Sequence, residues 1–245
     1  MTLQFRRFGG PTVVFGLGGR TFMTDPTFDP PGDYPLGSRT LTKTAAAAGG
    51  PADAGPVDVV LLSHDQHPDN LDHAGRVFAA SVPLVLSTPA AAARLGGPTR
   101  GLDPWAHVDL PRPGTGHLRV TAVPAQHGPD GTEHLTGPVT GFVLHGDGLP
   151  TVYVSGDNAS LAVVAGIAAR FPVVDVAVLF GGRARTPLLG DADLTLSADG
   201  MLEAARILGA KRVVPVHVDS WAHFTEGIDD VRAAFARADS LPLLG

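Results

Sequence analysis

Four apolar runs in this chain end in a side chain that can ligate a metal. VDVVLLSH closes on His64, RVTAVPAQH on His127, TVYVSGD on Asp157 and RVVPVH on His217. Each run is rich in Val, of strand length and bounded by Gly, Pro or Asp, as buried strands are. Strand ends are where an α/β sheet brings side chains from separate parts of the chain to one point. A single His after a strand is far more often solvated or hydrogen-bonded than a ligand. Four such ends, the first followed at once by His67 and Asp69, are hard to obtain from turn chemistry and read as a metal site.

The other runs fill in a layered α/β chain. PTVVFGLGGRTFMTD (11–25) has two β-rich pieces around GLGG, a hairpin signal, and TGFVLHG (140–146) and VVDVAVLF (173–180) add further strands. Helical patterns lie over 71–80, 89–95, 161–171, 198–209 and 229–238. Early strands come as hairpins and later ones alternate with helices, so mixed sheets are expected rather than one parallel sheet. At 245 residues the chain is expected to form a single domain over 1–245. Residues 26–56 form a long Pro- and Gly-rich connection, of the kind that is functional or disordered. A lid carrying Phe28 and Tyr34 is one reading of it, and its Ala-rich part, 44–56, reads as a flexible surface loop.

Composition narrows the chemistry. With no cysteine, any metal has to be held by His, Asp and Glu, which suits Zn, Mn or Fe. The net charge of −6 without a basic stripe gives no support for nucleic acid or a membrane surface as partner, and leaves a small-molecule substrate. No run approaches the roughly 20 apolar residues of a membrane span, and MTLQFRRFGG lacks the apolar run of a signal peptide. The expected compartment is the cytoplasm. A carboxylate can bridge two ions, and Asp157 is the candidate bridge; a pair roughly 3.5–4 Å apart would bring a shared water to a pKa near ~7 and supply hydroxide.

These segments resemble the metallo-β-lactamase superfamily, and within it the branch of ascorbate-6-phosphate lactonase-like proteins. The similar stretches are TFMTDPTFDPP (21–31), SHDQHPDNLD (63–72), PAQHG (124–128), SGD (155–157) and PVHVDSWAHFTEG (215–227). The resemblance implies an α/β (α+β) fold, a four-layer αββα sandwich with metal at the edge where its sheets meet. It also implies one or two divalent ions, Zn first and Mn or Fe as alternatives, held by His64, His67, Asp69, His127, Asp157 and His217. The superfamily pattern is HxHxDH, whereas this chain has Gln66 at the second His and Asn70 at the last. If the loop carries one extra residue, His67 and Asp69 regain ligand positions, the favoured alignment; if it keeps the ordinary length, Gln66 is a weak ligand and His67 points away. The first ion site, from His64, His67, His127 and Asp157, is then nearly complete, and the second, from Asp69, Asp157 and His217, is one ligand short.

The expected activity is hydrolysis of an ester, lactone or phosphoester bond of a small molecule by a metal-bound hydroxide. Asp69 is the candidate base and His223 a candidate proton donor or ligand. The alternatives are a non-catalytic, degenerate metal-binding member of the fold and a redox di-iron protein. Trp221, His223 and Phe224 read as pocket lining or as a packed loop. Asp25 either fixes a turn or orients a ligand His. His73, His107, His117, His134 and His145 are expected at the surface, and Arg183 or Arg185 either binds an anion or is solvated.

Overall fold

The computed structural model describes residues 3–37, 39–113 and 116–245. Its first half runs β1 (Phe5–Gly9), β2 (Thr12–Leu17), β3 (Arg20–Thr24), β4 (Gly32–Leu36), β5 (Arg39–Lys43), β6 (Val59–Leu61), α1 (His73–Ser81), β7 (Leu84–Ser87), α2 (Pro89–Leu95) and β8 (Thr99–Gly101). The second half runs β9 (His107–Pro111), β10 (His117–Pro124), α3 (Glu133–Thr136), β11 (Thr140–His145), β12 (Val152–Val154), α4 (Leu161–Arg170), β13 (Val176–Phe180), α5 (Ala198–Leu208), β14 (Arg212–Val216) and α6 (Ile228–Arg237). Two six-stranded sheets result, ordered β1-β2-β3-β6-β7-β8 and β14-β13-β12-β11-β10-β9, with β4-β5 as a separate hairpin. In each sheet antiparallel neighbours come first and parallel ones follow, the parallel strands being joined through helices except for β3 and β6, whose connection carries the β4–β5 hairpin. The mixed sheets read from the sequence are present.

Burial explains the layering. Phe15, Phe22, Leu61 and Leu86 of the first sheet pack between the sheets on Leu118, Phe142, Leu144 and Phe180 of the second. The second sheet turns Tyr153, Leu179 and Val213 outward onto Ile167 of α4, Met201 of α5 and Phe235 of α6. The first turns Val14, Met23, Val60 and Val85 onto Phe78 and Ala79 of α1. These are the four layers of an αββα sandwich. Strands β6, β12 and β13 are buried along their whole length, which is why they read as unbroken apolar runs. The helices start where a short polar side chain caps a backbone N–H: Asp72, Thr88, Ser160 and Ser197 do so for α1, α2, α4 and α5.

Three expectations change. The connection over 26–56 contains the β4–β5 hairpin, whose polar, Pro- and Gly-bearing strands lack the apolar alternation of a half-buried sheet. Phe28 belongs to no lid; it packs edge-on against Phe8 and Phe78 under α1. Tyr34 is on the hairpin, but it faces Trp221 and bonds to Pro30 O (2.5 Å). The 44–56 stretch lies at the surface and is tied down by Thr44 N to Ser220 O (2.7 Å) and Ala48 N to Phe8 O (2.7 Å), with Ala54 buried. No helix among the described residues is long and apolar enough to cross a membrane.

One buried ion pair fastens the hairpin to the body. Lys43 Nζ, at the end of β5, lies 3.2 Å from Asp72 Oδ2, and both side chains are almost fully enclosed. Asp72 also accepts from Gly75 N (2.8 Å) and Asp29 N (2.6 Å), so one carboxylate caps α1 and holds the hairpin. Replacing Asp72 by Ala strands the Lys43 ammonium out of water, which costs about 3 kcal/mol or more. Urea unfolding of Asp72→Ala is expected to show that loss, and Lys43→Met with Asp72→Leu together is expected to recover much of it.

Candidate metal centre

Strand direction brings the donors together. Strands β12, β13 and β14 are parallel, and β10 runs the same way because β11 is antiparallel to both β10 and β12. Their C-terminal ends therefore share one edge, where the loops carrying His127, Asp157 and His217 begin. In the other sheet β3 and β6 are parallel, and Asp25 and His64 follow their C-terminal ends. The two edges touch through Thr140 N to Ser63 O (3.1 Å). Gly156 permits this approach: at φ 59°, a Cβ there would stand 2.5 Å from Thr140 O and 2.9 Å from the Ser63 Cβ. His217 itself adopts φ 59°, an unusual conformation for a side-chain-bearing residue, and its N donates to Gly10 O (2.7 Å).

The first cluster joins His64, His67, His127 and Asp157. His127 Nδ1 faces Leu194 O (2.9 Å) and must donate, which leaves Nε2 a lone pair. Ser63 Oγ gives its hydrogen to Asp25 Oδ2 (2.5 Å) and so accepts from His64 Nδ1 (2.9 Å), leaving His64 Nε2 a lone pair as well. Both lone pairs point at His67 Nδ1, at 2.9 Å from His64 and 3.3 Å from His127. A single hydrogen on His67 Nδ1 can satisfy only one of them; a cation accepts all three nitrogens. Asp157 Oδ2, 3.5 Å from His127 Nε2, is buried without a hydrogen-bond donor among the described residues.

The second cluster joins Asp69, Asp157 and His217. His217 Nδ1 bonds Gly181 O (3.2 Å) while its Nε2 meets Asp69 Oδ2 at 3.3 Å and Asp157 Oδ1 at 3.7 Å. Asp69 Oδ2 also meets His223 Nε2 at 3.1 Å, and Asp69 Oδ1 is buried and undonated. Two buried carboxylates this close require positive charge between them. Asp157 sits in both clusters, as a bridge does.

Local fields sort the groups. Burial first, then the neighbouring His67, holds His64 well below the usual histidine range, and burial with His127 pushes His67 down to about 4. Both rings are neutral at pH 7, the form that ligates metal. Burial opposes the charge of Asp69 and Asp157, but His223 and His217 outweigh it at Asp69, and His217 and His127 at Asp157, so both are lowered. His217 is raised to about 9, since Asp157 and Asp69 overcome the cost of burial. A proton between these groups thus marks where a cation would sit. Neutral imidazoles, ionised carboxylates and orphaned buried oxygens fit a divalent ion of the Zn, Mn or Fe type.

The residues that depart from the superfamily pattern have other work. Asn70 acts as a clamp: its Nδ2 donates to Asp157 Oδ1 (3.1 Å) and Asp25 Oδ2 (3.0 Å), tying the bridge to the first sheet, while its Oδ1 is buried without a partner among the described residues. The Gln66 amide lies against Gly137, where an added Cβ would strike its Nε2. Asp65 pairs with Arg94 (2.9 Å) and anchors the loop from below. Asp25 takes the orienting role, with Ser63 N (2.6 Å) and Oγ as donors, and burial raises it to about 7. Ser63 and Asn70 as orienting groups were missed in the sequence; their only signal there was position, one preceding His64 and one following Asp69.

Above the clusters lies a cleft of about 300 Å³ whose floor includes His67, Asp69, His127 and His223. Its walls are Leu36, Arg39 and Leu41 of the hairpin and Ala184–Pro187 with Leu194 on the other side. The glycines of FGGRAR face the chain rather than a ligand: a Cβ at Gly182 (φ 82°) would strike His217 O. Arg183 is held by Asp193 (3.0 Å) and Glu226 (3.1 Å), and Arg185 by Asp193 (2.9 Å). His223 lines the cleft, whereas Trp221 is packed beneath the hairpin and Phe224 lies against the His217 ring (4.2 Å). His73, His107, His117 and His134 are exposed, and His145 rests half-buried on Phe171.

Metal analysis of variants checks this geometry. His67→Ala is expected to lose most bound metal after dialysis while Gln66→Ala retains it; retention of native affinity by His67→Ala contradicts the arrangement. Asp157→Ala is expected to deplete both clusters, whereas Asp69→Ala spares the first, so elemental analysis should find less metal in the former.

Comparison with known proteins bears on the family and the fold. A profile of the Beta-lactamase superfamily domain matches residues 20–218. A UPF0173 metal-dependent hydrolase of Pelotomaculum thermopropionicum is 30% identical over 191 residues, covering 75% of this chain and 76% of that protein. Among solved structures, an isothiocyanate hydrolase from Delia radicum gut bacteria superposes with TM-score 0.81 at 22% identity, over 98% of this chain and 94% of its own. A possible metal-dependent hydrolase of Veillonella parvula superposes with TM-score 0.83 at 18% identity, over 100% and 96%. The chain belongs to the metallo-β-lactamase superfamily and, within it, with the UPF0173 metal-dependent hydrolases.

Proposed function

We propose that this metal-dependent hydrolase cleaves an ester, lactone or phosphoester bond of a small molecule in the cleft above the two clusters. The observation that supports the reading most is Asp157 shared between a three-histidine set and an Asp69–His217 pair at the floor of a mainly apolar cleft. His64, His67, His127 and Asp157 would hold one divalent ion, Zn by preference, and Asp69, Asp157 and His217 a second. Such ions supply a Lewis acid for the scissile carbonyl or phosphoryl group and acidify water. The lactonase-like branch suggested by the TDP and SGD segments belongs to the same proposal.

The chain's own residues divide the remaining work. Leu36, Leu41, Pro187 and Leu194 keep bulk water from the reacting bond and pack on an apolar substrate body. Asp69, its Oδ2 between His217 and His223, takes up a proton during attack. His223 Nε2, 3.1 Å from that oxygen, is where the proton passes on toward the leaving group. Asn70 and Asp25 keep Asp157 and His64 in position throughout.

A panel of aryl esters, γ- and δ-lactones and phosphodiesters assayed with the metal-loaded protein tests this. His223→Ala is expected to lower kcat by about 10²–10⁴-fold while bound metal is retained. Undiminished kcat in that variant removes His223 from the reaction. A protein that holds metal and turns over no member of the panel fits the non-catalytic alternative instead.

A further inference from the structure

The cleft wall carries two arginines in different electrostatic states. Arg185 is neutralised where it stands, by Asp193 at 2.9 Å and Asp191 at 3.6 Å. Arg39, at the start of β5, is only half-buried and has no carboxylate partner among the described residues; its Nη1 donates to Thr186 Oγ1 at 2.8 Å across the cleft. That bond uses one of five guanidinium hydrogens. The charge of Arg39 also acts on the His67 ring, so it stands close enough to the cluster to be felt there. Around it the walls are apolar, Leu36 and Leu41 beside it on the hairpin and Pro187 opposite. A cation held in an apolar wall without an acid of its own is most stable when a ligand brings one.

We infer that the substrate carries a carboxylate, gripped by Arg39 at the hairpin wall while its scissile bond lies over the His/Asp floor. The inference rests on the hydrolase reading above and names its substrate class: an acyl compound with an apolar middle and an acidic end. A monoanion fits better than a phosphate dianion. Among the described cleft residues only the Arg39 guanidinium is without an acid partner, and a single guanidinium offers the side-by-side geometry that a carboxylate matches. The Thr186 hydroxyl, already bonded to Arg39, holds the fork in place across the cleft. The hairpin thus selects substrate as well as enclosing it.

The test uses the metal-loaded full chain and two 4-nitrophenyl esters of equal acyl length, the monoester of adipic acid and the hexanoate. The wild type is expected to favour the acidic ester by about tenfold in kcat/KM, as one charge-assisted bidentate contact allows. Arg39→Ala should erase that preference and Arg39→Lys should keep part of it. Equal handling of both esters by the wild type, or an equal loss on both in Arg39→Ala, overturns the inference and leaves Arg39 as a latch to Thr186. If neither ester is cleaved, that result bears on the bond type and is settled by the wider substrate panel, and calorimetry with adipate against hexanoate reads the anion site directly. Tighter adipate binding that vanishes in Arg39→Ala supports the site; indifference to the second carboxylate overturns it.

Discussion

The structure is arranged around a buried cluster that cannot satisfy itself. His64, His127 and His217 each spend one ring nitrogen on a fixed oxygen and aim the other at lone pairs or carboxylates, while Asp69 and Asp157 each keep an oxygen with no donor. Leaving such groups out of water without compensation costs several kcal/mol. Positive charge at the centre turns that cost into affinity. The surrounding protein reads as a means of holding the cluster: Asp25 and Ser63 fix His64, Asn70 ties Asp157 to the opposite sheet, and Gly156 lets the sheets come close enough to do so.

That demand explains features otherwise costly for a fold. His217 and Asp25 both occupy positive φ, 59° and 24°, at the ends of strands that would otherwise leave the edge in ordinary geometry. The FGGRAR glycines bring the chain against His217 O, and Gly181 O then receives the His217 Nδ1 proton. Rigid parallel strands on both sides of the edge carry this strain, and the apolar layer between the sheets anchors them. Of the parts that line the cleft, the β4–β5 hairpin is tied to this frame by the Lys43–Asp72 pair and the Lys43–Trp221 bridge, and to the 184–189 segment by the Arg39–Thr186 bond.

Much of the frame was legible in the chain. Val-rich runs such as 57–63 and 173–180 read as strands and hold β6 and β13, and the helical patterns over 89–95, 161–171 and 198–209 fall on α2, α4 and α5. The hairpin was not legible, because Gly32, Pro35 and the alternating Thr and Arg of β5 give no apolar face; its strands are stabilised by Trp221 and Asp72, far away in sequence. Phe28 shows the same limit from the other side. An aromatic in a Pro-rich loop looks like lid material, and only the position of Phe8 and Phe78 makes it core.

By itself the sequence determined the chemistry available: with no cysteine and with His or Asp closing four strands, a site of imidazoles and carboxylates was already specified. It also determined a layered α/β chain with mixed sheets, since run length and period mark strands and helices; the sandwich itself came only from the resemblance. Tertiary structure decided which donors meet. That His67 joins His64, His127 and Asp157, that Asn70 clamps Asp157 to Asp25, and that Arg183 is consumed by Asp193 and Glu226 while Arg39 has no acid partner among the described residues all depend on groups distant in the chain. Residue type sets what a side chain can bind. Which partner it finds is set by strand direction and by the close approach of two sheet edges.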